Sequence, residues 1–230
     1  MRLWLGDLRL QALTNYQTYR HNDLVKRCLY LFAATADDEG NISQCVFTKP
    51  EVAPDDTSMF DYSLLFIPTL YDYFMATGDK QTINDLLPLA EKQIEIAKKQ
   101  FNGNAIEDCD RLGWCFLDWS LELNKQAGAQ AVYIYAEKSL VKLLKELQKD
   151  TSVYEQDIAL KSVKAIEKFY DKAQGLFVSG KQRQISYATN VWYVLAEVFG
   201  QKENAFILEH LKTCENVVKP VTPYMMHHYV

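Results

Sequence analysis

Apolar residues recur at a helical period over most of this chain, and that pattern excludes most other fold classes. In residues 7–20 they are Leu8, Leu10, Ala12, Leu13 and Tyr16; in 22–36 they are Leu24, Cys28, Leu31 and Phe32. Further helical segments are predicted at 58–77, 80–101, 127–149, 152–172, 184–199 and 202–216. These segments do not share one character. Residues 58–77 and 184–199 are apolar on most sides, whereas their neighbours 80–101 and 202–216 carry a charged back. Helices buried all round beside helices wet on one face describe two helical layers. A four-helix bundle would repeat a single amphipathic pattern. A regular solenoid would need even loops and a fixed repeat, and neither is found. The reading is therefore all-α, a toroid-like arrangement of antiparallel hairpins over residues 1–230 as one helical domain. It has eight helices, with a ninth opening in KPVTPYMMHHYV.

Local signals mark the ends of these segments. Asn22 or Asp23, Ser58, Lys80 or Thr82, and Thr151 or Ser152 are expected helix starts, and Gly78 and Gly200 are expected stops. Pro68 is expected to bend the helix that holds it. Residues 37–57 and 102–126 are long connections, well beyond the usual ~4–6 residues, and such loops in compact domains tend to carry function. Residues 173–182 read as a short extended stretch between Gly175 and Gly180.

Composition removes several function classes. Nine Gly and six Pro exclude low-complexity and collagen-like chains. A net charge of −5 argues against a nucleic-acid module, which needs a basic face. No run reaches the ~18 apolar residues of a membrane span, and MRLWLGDLRL has no apolar core of a signal peptide, so the compartment is not readable. The five cysteines (28, 45, 109, 115 and 214) have no zinc spacing and read as scattered thiols. His227 and His228 are adjacent, so on a helix they point about 100° apart and do not make a metal pair. Motifs for nucleotide, serine-hydrolase and zincin chemistry are absent, and no cofactor or metal is expected.

Three clusters carry candidate chemistry. Trp4-Leu5-Gly6-Asp7 places a carboxylate beside an aromatic plate at a helix start. Such a pair suits a sugar, whose hydroxyls meet the carboxylate and whose C–H face meets the indole; a capping Asp with a packing Trp is the plainer alternative. Glu107 to Trp119 gathers four acids, Arg111 and the indoles of Trp114 and Trp119 into a long connection, the usual make-up of a pocket. There the alternative is core-plugging tryptophans with Asp118 as a cap. Met59-Phe60-Asp61-Tyr62 and Tyr71-Asp72-Tyr73 pair acids with aromatics; Asp61 either faces an inner cavity or caps its helix, and Asp72 reads as a plain surface charge.

Taken together, these residues resemble the catalytic domain of the α-L-rhamnosidase-like six-hairpin glycoside hydrolases. The resemblance rests on Arg2-Leu3-Trp4-Leu5-Gly6-Asp7, on Asp61 with Tyr71 and Gly78-Asp79, on Phe116-Leu117-Asp118-Trp119, and on Thr222-Pro223-Tyr224-Met225, all in family order. It implies an (α/α)6 toroid of twelve helices and inverting hydrolysis of terminal rhamnose from glycosides or polysaccharides. In that reaction one carboxylic acid protonates the leaving oxygen and a second carboxylate activates water. It further implies a rhamnose-containing carbohydrate as partner.

The family's general acid precedes the Asp7 position by about two helical turns, and its general base follows the Thr-Pro-Tyr element by tens of residues. The first position is expected at or just before Met1 and the second beyond Val230. Twelve helices with their loops need about 330 residues, against 230 here. The expectation is thus a central portion with no catalytic carboxylate of its own. Its sugar-binding residues are expected to be Trp4, Asp7, Asp61, Trp114, Asp118 and Trp119, and the isolated chain is expected to be inactive or nearly so. A non-catalytic carbohydrate-binding or scaffold domain is the alternative. An open ring would expose the flanks of its end helices and favour self-association.

Overall fold

The computed structural model describes residues 2–107 and 115–230. Nine helices occur among them: α1 (Leu5–Gln17), α2 (Asn22–Ala34), α3 (Phe60–Thr77), α4 (Lys80–Lys98), α5 (Gln126–Glu146), α6 (Ser152–Phe169), α7 (Tyr187–Leu195), α8 (Gln201–Thr213) and α9 (Pro223–Tyr229). None is long and apolar enough to cross a membrane.

The odd-numbered helices form the inner layer. α1 packs on α3, α3 on α5, α5 on α7 and α7 on α9, while α9 also touches α1. Burial follows the same division for α3, α5 and α7 against α6 and α8, while α1 buries only Leu5, Gly6, Leu8 and Ala12. Along α3 and α5 most positions are buried, whereas α6 buries only Lys161, Ala165 and Phe169, and α8 only Ile207 and Leu211. One continuous apolar cluster draws members from all nine helices. For α3 and α7 the inner position follows from sequence, because both are apolar enough to lose water on every side; α5 is buried along most of its length although it carries Gln126, Gln130, Glu137 and Ser139. This is the mostly helical architecture that the resemblance implies.

The helix starts differ from expectation in detail. α3 begins at Phe60, after Met59, with no side-chain cap, and α2 begins at Asn22 itself. Only α4, α7 and α9 have a side-chain cap, from Asp79, Ser186 and Thr222. α3 runs through Pro68 without ending there. Residues 45–47 and 53–54 of the first long connection are strands, β2 (Cys45–Phe47) and β3 (Ala53–Pro54), paired antiparallel with β1 (Arg2–Trp4) in the order β1-β2-β3. Trp4 faces Cys45 across this ladder, which fixes the start of α1. The second connection opens with a hairpin, β4 (Phe101–Asn102) and β5 (Ala105–Ile106). The expected extended stretch is β7 (Leu176–Ser179), held between β6 (Tyr170–Asp171) and β8 (Gln184–Ile185). These ladders join residues that local periodicity does not relate, so they escape a helix-by-helix reading.

Candidate functional site

A cleft of about 540 Å³ opens where the first turns of α1, α3 and α9 meet. That size suits a small ligand. Trp4, Asp7, Met59, Tyr62, Phe116, Trp119 and the run Thr222-Pro223-Tyr224 form its walls. Trp4 ends β1 and Asp7 lies in the first turn of α1, so the sheet and the helix together aim both side chains at one space.

The walls are an aromatic box. Tyr62 meets Trp4 edge-on at 6.4 Å, Phe116 at 5.7 Å and Tyr224 at 6.0 Å between ring centroids. Phe116 in turn contacts Trp119 at 5.6 Å and Tyr224 at 5.4 Å, both T-shaped. Edge-to-face contacts of this kind fix ring orientation beyond simple burial. Trp119 stands at the rim, 62% exposed.

Asp7 is the only carboxylate lining the cleft among the described residues. Trp4 precedes α1 without a side-chain cap, and Asp7 Oδ2 accepts a hydrogen bond from the Tyr62 hydroxyl at 3.3 Å. Loss of solvent raises its pKa above the ordinary carboxylate range, and the Tyr62 hydroxyl opposes that shift. Gly6 makes the pairing possible. A Cβ there would sit 2.5 Å from Tyr62 Cε1, so only glycine lets the ring lie against α1.

Asp61 and Asp118 lie behind the walls rather than on them. Asp61 is 1% exposed and does not line the cleft. Its Oδ1 accepts the Phe116 amide and its Oδ2 the Leu117 amide, both at 2.9 Å. Burial raises its pKa and these two amides pull it back. The amide pair holds Leu117 at φ 50°, a left-handed conformation that costs a non-glycine residue about 1–3 kcal/mol. The Leu117 side chain fits because Gly128 faces it; a Cβ on Gly128 would lie 2.7 Å from Leu117 Cδ1. Asp118, 4% exposed, spends its carboxylate on the Val221 amide (2.8 Å), the Thr222 hydroxyl (2.6 Å) and the Trp119 amide (2.9 Å).

Of the six expected binding residues, the structure therefore brings Trp4, Asp7 and Trp119 to one cleft and sets Asp61 and Asp118 behind it. Trp114 lies outside the described residues. Met59, Tyr62, Phe116, Thr222, Pro223 and Tyr224 were not expected as binding residues, though each sits within two positions of one that was, or in the Thr-Pro-Tyr element. Asp61 and Tyr62 point about 100° apart on α3, and it is Tyr62 that lines the cleft. Asp72 is not a plain surface charge: its Oδ2 pairs with Arg9 Nε at 2.9 Å, and burial raises its pKa.

Beyond the cleft floor, Tyr224 and Trp192 pack on His228 at 4.7 and 4.5 Å. Burial lowers the His228 pKa to about 4, and its Nδ1 lies 2.8 Å from the Tyr224 carbonyl. The ring is thus neutral at pH 7 with Nδ1 as donor. Among the described residues no group of three or more His, Cys, Asp or Glu side chains is placed to hold a metal, and Cys28, Cys45, Cys115 and Cys214 are free thiols.

Among solved structures the chain resembles a rhamnosidase from Klebsiella oxytoca with rhamnose bound, at 42% identity and TM-score 0.93. The match covers 99% of this chain and 45% of that one. A family GH78 rhamnosidase of Bacillus sp. GL1 matches at 18% identity and TM-score 0.83, over 99% of this chain and 24% of that one. A Streptomyces avermitilis α-L-rhamnosidase complexed with L-rhamnose matches at 16% identity and TM-score 0.68, over 91% and 19%. These last two likenesses speak to the fold. Among curated proteins none matches. Residues 2–211 match the bacterial alpha-L-rhamnosidase 6 hairpin glycosidase domain. With its two-layered ring, its aromatic cleft and a family match over nearly its whole length, the chain belongs to the bacterial α-L-rhamnosidase six-hairpin glycosidase family.

Proposed function

We propose that this chain forms the sugar-binding part of a glycoside hydrolase domain acting on terminal α-L-rhamnosyl groups. The observation that carries the reading is the pairing of a half-buried carboxylate, Asp7, with the faces and edges of Trp4, Tyr62, Trp119 and Tyr224 in one cleft. A deoxyhexose presents hydroxyls on one side and C–H groups with a methyl on the other. Asp7 accepts from the former, and the aromatic box covers the latter. The rhamnose bound to the Klebsiella oxytoca relative supports this choice of ligand.

The resemblance implies inverting hydrolysis, which uses two carboxyl groups roughly 6.5–9.5 Å apart with a water between. The described cleft offers one carboxylate. We therefore assign Asp7 to binding, with Trp4 and Trp119 as platforms, and expect the chain alone to release no sugar from an aryl rhamnoside. Calorimetric titration with L-rhamnose tests the binding reading. Saturable heat that vanishes in Trp4→Ala and Asp7→Asn is expected; no heat with the parent chain, or equal heat with both variants, refutes it. Robust release of rhamnose by the parent chain refutes the assignment of Asp7 to binding alone.

A further inference from the structure

We propose that Asp118 is a positioning residue that latches the two far walls of the cleft together, with the Thr222 hydroxyl as the catch. The inference rests on the carbohydrate reading of the cleft but concerns a residue that does not line it.

Four observations converge. First, Asp118 grips Val221 and Thr222 from more than 100 positions away: Oδ2 takes the Val221 amide at 2.8 Å and Oδ1 the Thr222 hydroxyl at 2.6 Å. Second, Thr222 caps α9, its Oγ1 accepting the Met225 amide at 3.2 Å. A hydroxyl has one proton; Asp118 receives it, which leaves the lone pairs for the Met225 amide. The latch thus orients the cap. Third, α9 spans only seven residues, too few to hold a helix by local bonds alone, so its first turn depends on tertiary anchors. That turn carries Tyr224, which lines the cleft. Fourth, the Asp118 side of the latch is rigid. Asp61 clamps the Phe116 and Leu117 amides and holds Leu117 in its left-handed conformation. The carboxylates of Asp61 and Asp118 therefore act in series, from α3 to the 115–119 loop and from that loop to α9. The consequence is that sugar affinity depends on the hydrogen bond by which Asp118, behind the wall, holds Thr222, which lines it.

The test uses Thr222→Val, Thr222→Ser and Asp118→Asn in the full chain, with L-rhamnose calorimetry and hydrogen exchange of the peptide spanning Val221 to Met225. Thr222→Val keeps the side-chain shape and the Asp118 charge but removes the catch. It is expected to weaken rhamnose binding by about ten-fold and to speed exchange at Val221 and Met225, while Thr222→Ser restores both. Asp118→Asn combined with Thr222→Val is expected to be no worse than the more damaging single variant, because both break one link. Parent-like binding and exchange in Thr222→Val, failure of serine to rescue, or additive losses would each overturn the latch. If the parent chain binds no rhamnose, the sugar reading falls, and the exchange arm still decides the latch: unchanged protection in Thr222→Val refutes it.

Discussion

The Tyr62 ring lies against Gly6, the residue before its own hydrogen-bond acceptor Asp7. A Cβ on Gly6 would come within 2.5 Å of the ring, while the Tyr62 hydroxyl reaches Asp7 at 3.3 Å. Close approach and hydrogen bond are one arrangement, and the glycine makes it sterically possible. Gly6→Ala is therefore expected to displace the ring, to cost about 1–3 kcal/mol of stability, and to weaken rhamnose binding with it. Thermal melting and calorimetry on one preparation check this; an unchanged melting temperature contradicts the packing argument.

Asp7 should trade stability for binding. Its folded pKa lies above the unfolded value because it loses solvent. For a carboxyl group raised in this way, the stabilising contribution is full below the unfolded pKa and is lost as pH rises through the folded one. Asp7→Asn is thus expected to melt higher than the parent at pH 7 and equal to it in acid below the carboxylate range, while binding rhamnose at least about ten-fold more weakly. Melting curves from pH 3 to pH 8 give the comparison, and a variant that melts lower than the parent at pH 7 contradicts it.

Glu137 offers a second pH-dependent readout far from the cleft. It is fully buried on α5 beside Asp157, with Lys98 at 3.8 Å, and burial together with the Asp157 charge raises its pKa to about 9. The same sign applies: its contribution is full below pH 4.5 and is lost as pH rises through about 9. Glu137→Gln should therefore flatten the alkaline decline of the melting temperature, gaining roughly 5 °C by pH 9. Parallel profiles for parent and variant would show that the carboxyl group ionises without penalty.

Asp61→Asn probes the wall from behind. The amide side chain keeps one acceptor, so either the Phe116 or the Leu117 amide loses its partner. A cost of about 2 kcal/mol is expected, along with a change in tryptophan emission as Trp119 at the end of the loop shifts. Melting and fluorescence measure the two effects, and a variant unchanged in both would show that the 115–119 loop is held by other contacts.

That Trp4 and Asp7 share one cleft was legible in the sequence because one short element carries both, and the strand and helix turn that aim them are set within four residues. Asp61 and Asp118 were legible as important but not as to role. Their partners lie 55 and more than 100 residues away, and only packing shows that protein amides and a hydroxyl already occupy these carboxylates. Tyr62 and Tyr224 were hidden for the converse reason. An aromatic residue on an apolar helix reads as core until the neighbouring wall is seen to stand off and leave a cleft.

What the sequence by itself determined is the helical period and the contrast between the very apolar α3 and α7 and their amphipathic neighbours α4 and α8, and hence two helical layers. Those follow from residues within a few turns of one another. What only the tertiary structure decided is which of two adjacent side chains, Asp61 or Tyr62, Asp118 or Trp119, lines the cleft and which turns back to hold the wall. That choice depends on helix phase and loop backbone, which are fixed by contacts across the ring and by a strained Leu117 held by a carboxylate 56 positions earlier.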